Sequence, residues 1–170
     1  IAVFKGERLV GYLSPDEAGY FLLATDHVQG GVITVPAAGE GPDDTSLEVY
    51  ETRSHISFAR RDGQLVMKVN VDIEVFLDET GAEVDLLDLD AIGRVEAVAE
   101  QKVVRGIADV IQRVRTEYGS DIFGFGRTVY RKDYKLWQQL KDRWDEVFVT
   151  MPVEISCNVD VANTAYLKKT

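Results

Sequence analysis

Residues 90–126 read DAIGRVEAVAEQKVVRGIADVIQRVRTEYGSDIFGFG, and the spacing of apolar residues in this stretch decides the fold. Val95, Ala99, Val103, Ile107, Val110, Ile111, Val114 and Tyr118 recur every three or four positions, so a helix formed here carries one continuous apolar face. Glu96, Glu100, Lys102, Arg105, Asp109, Arg113 and Glu117 fill its other sides. Asp90 can cap the first turn and Gly119 can take the left-handed conformation that closes the last, which predicts a helix over 91–118. About 28 residues at about 1.5 Å each make a rod of roughly 42 Å, and a rod of that length needs a long partner.

Two stretches supply one. In 65–77 every odd position is apolar (Leu65, Met67, Val69, Val71, Ile73, Val75, Leu77), while Lys68, Asn70, Asp72 and Glu74 lie between them. That alternation is a half-buried strand, and about 13 residues at about 3.3 Å span roughly 43 Å. Met151, Val153, Ile155, Cys157, Val159 and Val161 repeat the pattern, in a final strand that begins at Val149. The expected fold is therefore α+β, a mostly antiparallel twisted sheet whose long strands pack on one long helix, with shorter helices around it.

The rest of the chain fits this frame. Ala2 to Phe4 and Leu9 to Leu13 flank Lys5-Gly6-Glu7-Arg8 as a hairpin, and Ser14-Pro15-Asp16-Glu17 has the form of a capping box opening a short helix to Ala24. Val32 to Val35 read as a strand, and residues 36–44 as an exposed loop rich in Gly, Pro, Ala and Asp. Leu47 and Val49 alternate in one phase and Ile56 and Phe58 in the other, which predicts a bulge or strong twist near Arg53. Asp62-Gly63 signals a tight turn into the 65–77 strand, and Thr80-Gly81 its end. Past residue 126, Tyr134, Trp137, Leu140, Lys141, Trp144 and Phe148 make a second helical stripe. Gly106, in the long helix, is either a tolerated glycine or a point where a strand comes close.

The 170 residues, 45% apolar and 28% charged, suit one domain with a proper core. A net charge of -10 argues against nucleic acid as a general partner. The lone cysteine, on the apolar side of its strand, reads as an inert thiol. No run of about 18 apolar residues is present to span a bilayer. The start at Ile1, without Met or a signal peptide, suggests a processed product or excised fragment, with anchors or further domains upstream.

The sequence supports no site of chemistry. His27 and His55 stand in no zinc-ligand spacing, and Asp85, Asp88 and Asp90 lack the central glycine and closing glutamate of a calcium loop, so they read as cap and first-turn charges. Gly124-Phe125-Gly126 follows a helix instead of a strand and lacks a third glycine, so it is no dinucleotide fingerprint. Its glycines are expected to take unusual backbone angles, with Phe123 and Phe125 as buried anchors. No catalytic group, cofactor or metal is assigned. One charge feature stands out: Arg127, Arg131, Lys132, Lys135, Lys141 and Arg143 oppose only Asp133 and Asp142, a local net of +4 that leaves -14 on the remainder. It is either a solvated helix face or a surface oriented toward anionic lipid head groups or an acidic partner, Arg127, Arg131, Lys132 and Lys135 being the candidates.

Asp121-Ile122-Phe123-Gly124-Phe125-Gly126, followed by Leu136-Trp137 and Trp144-Asp145 ahead of the last strand, resembles the C-terminal domain of the Ger(x)C family, the C subunits of bacterial spore germinant receptors. The opening Ala2-Val3-Phe4-Lys5 and Arg8-Leu9-Val10-Gly11-Tyr12-Leu13, with Glu17 beyond, is similar to the start of that domain. The chain departs from the pattern at Asn163-Thr164-Ala165, where the family has basic residues and a Thr-Gly step. The resemblance implies a non-enzymatic subunit on the outer face of the spore inner membrane, held by a lipid anchor outside this fragment, working with membrane-embedded A and B subunits in nutrient-triggered germination. An alternative role is small-molecule sensing, in a pocket between the 36–44 loop and the helix ends.

Overall fold

The computed structural model describes residues 1–28, 30–36, 44–77 and 89–162. A two-stranded antiparallel ribbon comes first, β1 (Ala2–Lys5) and β2 (Arg8–Tyr12), turning at Gly6 with φ 60°. Helix α1 (Pro15–Ala24) opens with the expected capping box: Ser14 Oγ accepts from the Glu17 amide at 3.3 Å, and Glu17 Oε2 accepts from the Ser14 amide at 2.7 Å. Then come β3 (Gly31–Pro36), β4 (Asp44–Arg61), β5 (Gln64–Leu77), the long helix α2 (Leu89–Arg113), α3 (Phe125–Lys132), α4 (Tyr134–Leu140), α5 (Trp144–Thr150) and β6 (Val153–Val161). The main sheet has the order β3-β4-β5-β6, antiparallel except for the parallel pair β5 and β6. Everything from α2 to α5 forms the crossover that a parallel pair requires.

The predicted stripe faces inward. Val95, Ala99, Val103, Ile107, Val110, Ile111 and Val114 are buried in one core with Met67, Val69, Val71, Ile73 and Val75 of β5. Asp62 and Gly63 both have positive φ, 51° and 79°, as a two-residue hairpin turn between β4 and β5 demands. Sheet-edge amides are covered in an unexpected way. Glu96 and Glu100, one turn apart on α2, accept from the amides of Val161 at 3.0 Å and Val159 at 3.2 Å, closing part of the β6 edge.

Several expectations need correction. The described helix already includes Leu89, so Asp90 lies in its first turn and is not its cap. At the other end the α-helical part stops at Arg113, and a π-helical turn (Val114–Tyr118) follows before Gly119 closes it at φ 54°. This wider turn carries Arg115, which lies over the Phe148 ring and donates to Met151 O at 2.8 Å, and Tyr118, which donates to Tyr12 O at 2.9 Å. The β4 bulge exists but sits at Tyr50, three residues before Arg53. Beyond it the inward positions are Thr52 and Ser54, whose hydroxyls donate to Val28 O and Leu23 O, so a hydrophobic pattern does not register them. Residues 134–148 do not form one helix: Asp133 caps α4, donated to by the Leu136 amide at 2.9 Å, and a 3-10 turn (Lys141–Arg143) separates α4 from α5. Helix α5 takes in Val149 on its exposed side, so the last strand begins at Val153. Close approach at Gly106 is real, but what approaches is the Tyr20 ring of α1 and not a strand. The turn expected at Thr80-Gly81, Asp85, Asp88 and most of the 36–44 loop lie outside the described residues.

Candidate functional site

The corner between α2 and α3 is organised by one carboxylate. Gly124, at φ 71°, turns the chain so that the first amides of α3 point back to Asp121. Asp121 Oδ1 accepts from the Phe125 amide at 3.0 Å, and Oδ2 accepts from the Gly126 amide at 2.7 Å and from Trp144 Nε1 at 3.1 Å. A carboxylate at a helix start satisfies free amides and opposes the positive end of the helix dipole. Here it also ties α5 to the corner through the indole. Beside it, Ser120 Oγ donates to Phe4 O at 2.6 Å and docks the N-terminal ribbon.

The aromatic residues complete this corner. Phe123 stacks on Phe125 at 5.4 Å and meets Phe21 of α1 edge-on at 5.3 Å, while Phe125 contacts Phe148 at 6.2 Å. Both residues of the motif are buried, as anchors should be. Gly124 has the expected unusual angle, whereas Gly126 is helical and needed for space: a Cβ there would lie 2.9 Å from the Trp144 ring and 3.1 Å from Trp137. Trp137 and Trp144 are in contact at 5.4 Å, although seven residues of straight helix rise about 10.5 Å. The break at 141–143 folds Trp144 back. The cap role of Asp121 was missed from sequence, and the signal was there, an Asp ahead of a Gly that can begin a helix in the left-handed region.

The basic candidates separate. Arg127, Arg131, Lys132 and Lys135 are all exposed, but Lys132 Nζ lies 3.2 Å from His55 Nε2, on the β4 side. Arg127 and Arg131 are one turn apart on α3, with Tyr130 between them. Tyr130 meets Tyr134 at 5.7 Å and Trp137 at 6.3 Å, linking this side of α3 to α4.

Open cavities lie among the described residues. One of about 510 Å³ lies between α1, β3 and α2, lined among others by Asp16, Tyr20, Leu23, Ile33, Val49 and Lys102. Lys102 Nζ donates to Thr34 O at 2.5 Å there, and burial pushes the Tyr20 hydroxyl pKa up. Another, about 390 Å³, runs beside the β4–β5 turn over Leu65, Leu136, Leu140 and Met151, with Arg60 and Arg143 at its rim. Among the described residues no group of three His, Cys, Asp or Glu side chains is placed to hold a metal ion, and no helix is long and apolar enough to cross a membrane. Cys157 is partly covered and its thiol is pushed up to about 12 by burial, with Glu100 and Asp72 adding to the shift.

This α+β architecture is that of a solved structure described as the GerBC protein, with a TM-score of 0.81 at 22% identity over 92% of this chain and 48% of that one. Residues 1–165 match the family "Spore germination B3/GerAC like, C-terminal". The chain belongs to that family, the C-terminal domain of Ger(x)C-type spore germination proteins. Among its relatives, spore germination protein KC of Bacillus subtilis (strain 168) is 24% identical over 96% of this chain and 40% of its own length. From the same organism, spore germination protein YndF is 22% identical with the same coverage, and spore germination protein B3 is 24% identical over 83% of this chain and 37% of its own. The chain thus spans about two fifths of the length of these relatives.

Proposed function

We propose that this chain serves spore germination as a non-enzymatic interaction domain of a nutrient germinant receptor C subunit. The observation that carries the reading is the use of the family's own hexapeptide. The Asp121 carboxylate is engaged by two amides and an indole, and the phenylalanines fill a core, so the motif is a structural corner and not a reactive centre. Such a corner fixes the basic helices α3 and α4 rigidly against the long helix and sheet, which suits presentation of a surface. The partners of the domain are the A and B membrane subunits of the receptor, and its place is the outer face of the spore inner membrane, with lipid anchorage outside residues 1–170.

The experiment is recovery of A and B subunits from spore membranes by the full-length protein, with and without residues 1–170. Loss of recovery, with the remaining protein folded and anchored, supports an assembly surface. Unchanged recovery overturns it. Charge reversal at Arg131, Lys132 and Lys135 should impair germination or assembly while leaving the fold intact, and normal germination and assembly would remove these residues from the reading.

A second reading, direct sensing of a small molecule, is favoured by the cavity of about 510 Å³ with Asp16 and Lys102 among its lining residues. Thermal-shift measurement against amino acids, sugars and nucleosides separates the two. A site filled at about 100 times its dissociation constant stabilises the fold by about 2.7 kcal/mol, and a flat response counts against sensing.

A further inference from the structure

The exposed side of α3 and α4 combines clustered cations with exposed aromatic rings. Arg127, Tyr130 and Arg131 stand at helical positions i, i+3 and i+4, so they project together. Tyr130 reaches Tyr134 and Trp137 by ring contacts, and Lys141 follows Trp137 by four residues. Tyr130 is 50% and Tyr134 57% exposed, large ring area left in water beside cations. Some of the described cations are paired with carboxylates, as Lys5, Arg53, Arg61, Lys68 and Arg113 are. Among the described residues Arg127, Arg131 and Lys141 make no ion pair. Neither of the two cavities described above takes in Arg127, Tyr130, Arg131 or Tyr134.

From this geometry we propose that the Arg127–Tyr130–Arg131–Tyr134–Lys141 face rests directly on the surface of an anionic lipid bilayer. The inference deepens the receptor-domain reading by naming what one of its faces touches. Unpaired cations attract phosphate-bearing head groups within a Debye length, whereas the acidic remainder of the molecule, turned away, is screened over about 8–10 Å. Tyrosine rings with a polar tip suit the boundary between head groups and acyl chains, and a fluid surface requires no shape complement. Tyr130 is already packed against Tyr134 and Trp137, and Trp137 against Trp144, which reduces the entropy lost on contact.

The test is sedimentation of the 170-residue chain with vesicles of phosphatidylcholine alone and of phosphatidylcholine mixed with phosphatidylglycerol. Binding is expected only to the anionic vesicles and should weaken with salt. Arg127→Glu with Arg131→Glu should lower the partition coefficient by about tenfold or more. Arg8→Glu with Arg53→Glu, the same charge change elsewhere, should lower it far less. Tyr130→Ser with Tyr134→Ser should weaken binding without altering its salt dependence, and circular dichroism verifies that each variant is folded. Equal binding to both vesicle types, or equal loss from the two charge-reversal pairs, overturns the proposal. If vesicles fail to bind while Arg127→Glu/Arg131→Glu abolishes subunit recovery from spore membranes, the face is a protein contact and the bilayer assignment is wrong. No receptor component enters the vesicle assay, so its failure is distinct from failure of the receptor reading.

Discussion

Asp121 is where a single atom group has the widest reach, because its carboxylate starts α3 and holds the α5 indole at once. Asp121→Asn keeps the shape but replaces one acceptor oxygen by a donor that faces donors, so the variant should lose about 1.5–3 kcal/mol in urea unfolding. A loss under about 0.5 kcal/mol would mean that these bonds contribute nothing beyond water's. The glycines of α2 give a paired prediction. Ala is the better helix former by about 1 kcal/mol, and at Gly93, where a Cβ would meet none of the described residues within 4 Å, Gly93→Ala should raise stability by up to that amount. At Gly106 the added Cβ would lie 2.3 Å from the Tyr20 ring, so overpacking outweighs propensity and Gly106→Ala should cost about 1–3 kcal/mol. Thermal denaturation of the two variants side by side measures the difference, and equal behaviour would mean that α1 does not pack on α2 as described.

Between elements, the joint of α1 and α2 combines apolar packing with one ion pair. Ile107 is fully buried on the α2 stripe, and Ile107→Ala should cost about 2–5 kcal/mol by chemical denaturation, while less than about 1 kcal/mol would contradict the packed face. Arg113 hydrogen-bonds Glu17 from the next helix and Glu117, at 2.9 Å, from its own. The Arg113 guanidinium, followed by the Ser14 amide, holds the Glu17 carboxyl below its ordinary value of 4.5. A depressed carboxyl pKa contributes stability that is present above the unfolded value and lost as pH falls through the folded one. The melting temperature should therefore drop on acidification from about pH 4.5 downward more steeply for the native chain than for Glu17→Gln. Parallel pH profiles of the two proteins would remove this pair from the acid response.

For the whole molecule, β6 is the piece that closes the sheet, pairing parallel to β5 while α2 covers its amides through Glu96 and Glu100. Cys157 reports on that closure. With its thiol pushed up to about 12 by burial, alkylation at pH 8 should be slow in the folded protein and fast in denaturant, with a rate that tracks detachment of β6. Rapid alkylation under native conditions would show that the strand opens locally. Sequence by itself determined the long helix, the long alternating strands, the capping box at Ser14 and the Asp62-Gly63 hairpin, because each is written in local periodicity or turn chemistry. The hexapeptide likewise carried the family. Tertiary structure decided the rest: the parallel β5–β6 pairing, the π turn at 114–118, the bulge at Tyr50, the division of 125–150 into separate helices, and the meeting of Tyr130 with Tyr134 and Trp137. These depend on which surfaces and hydroxyls meet across the fold, and a pattern of apolar residues along one chain does not encode the partner on the other side.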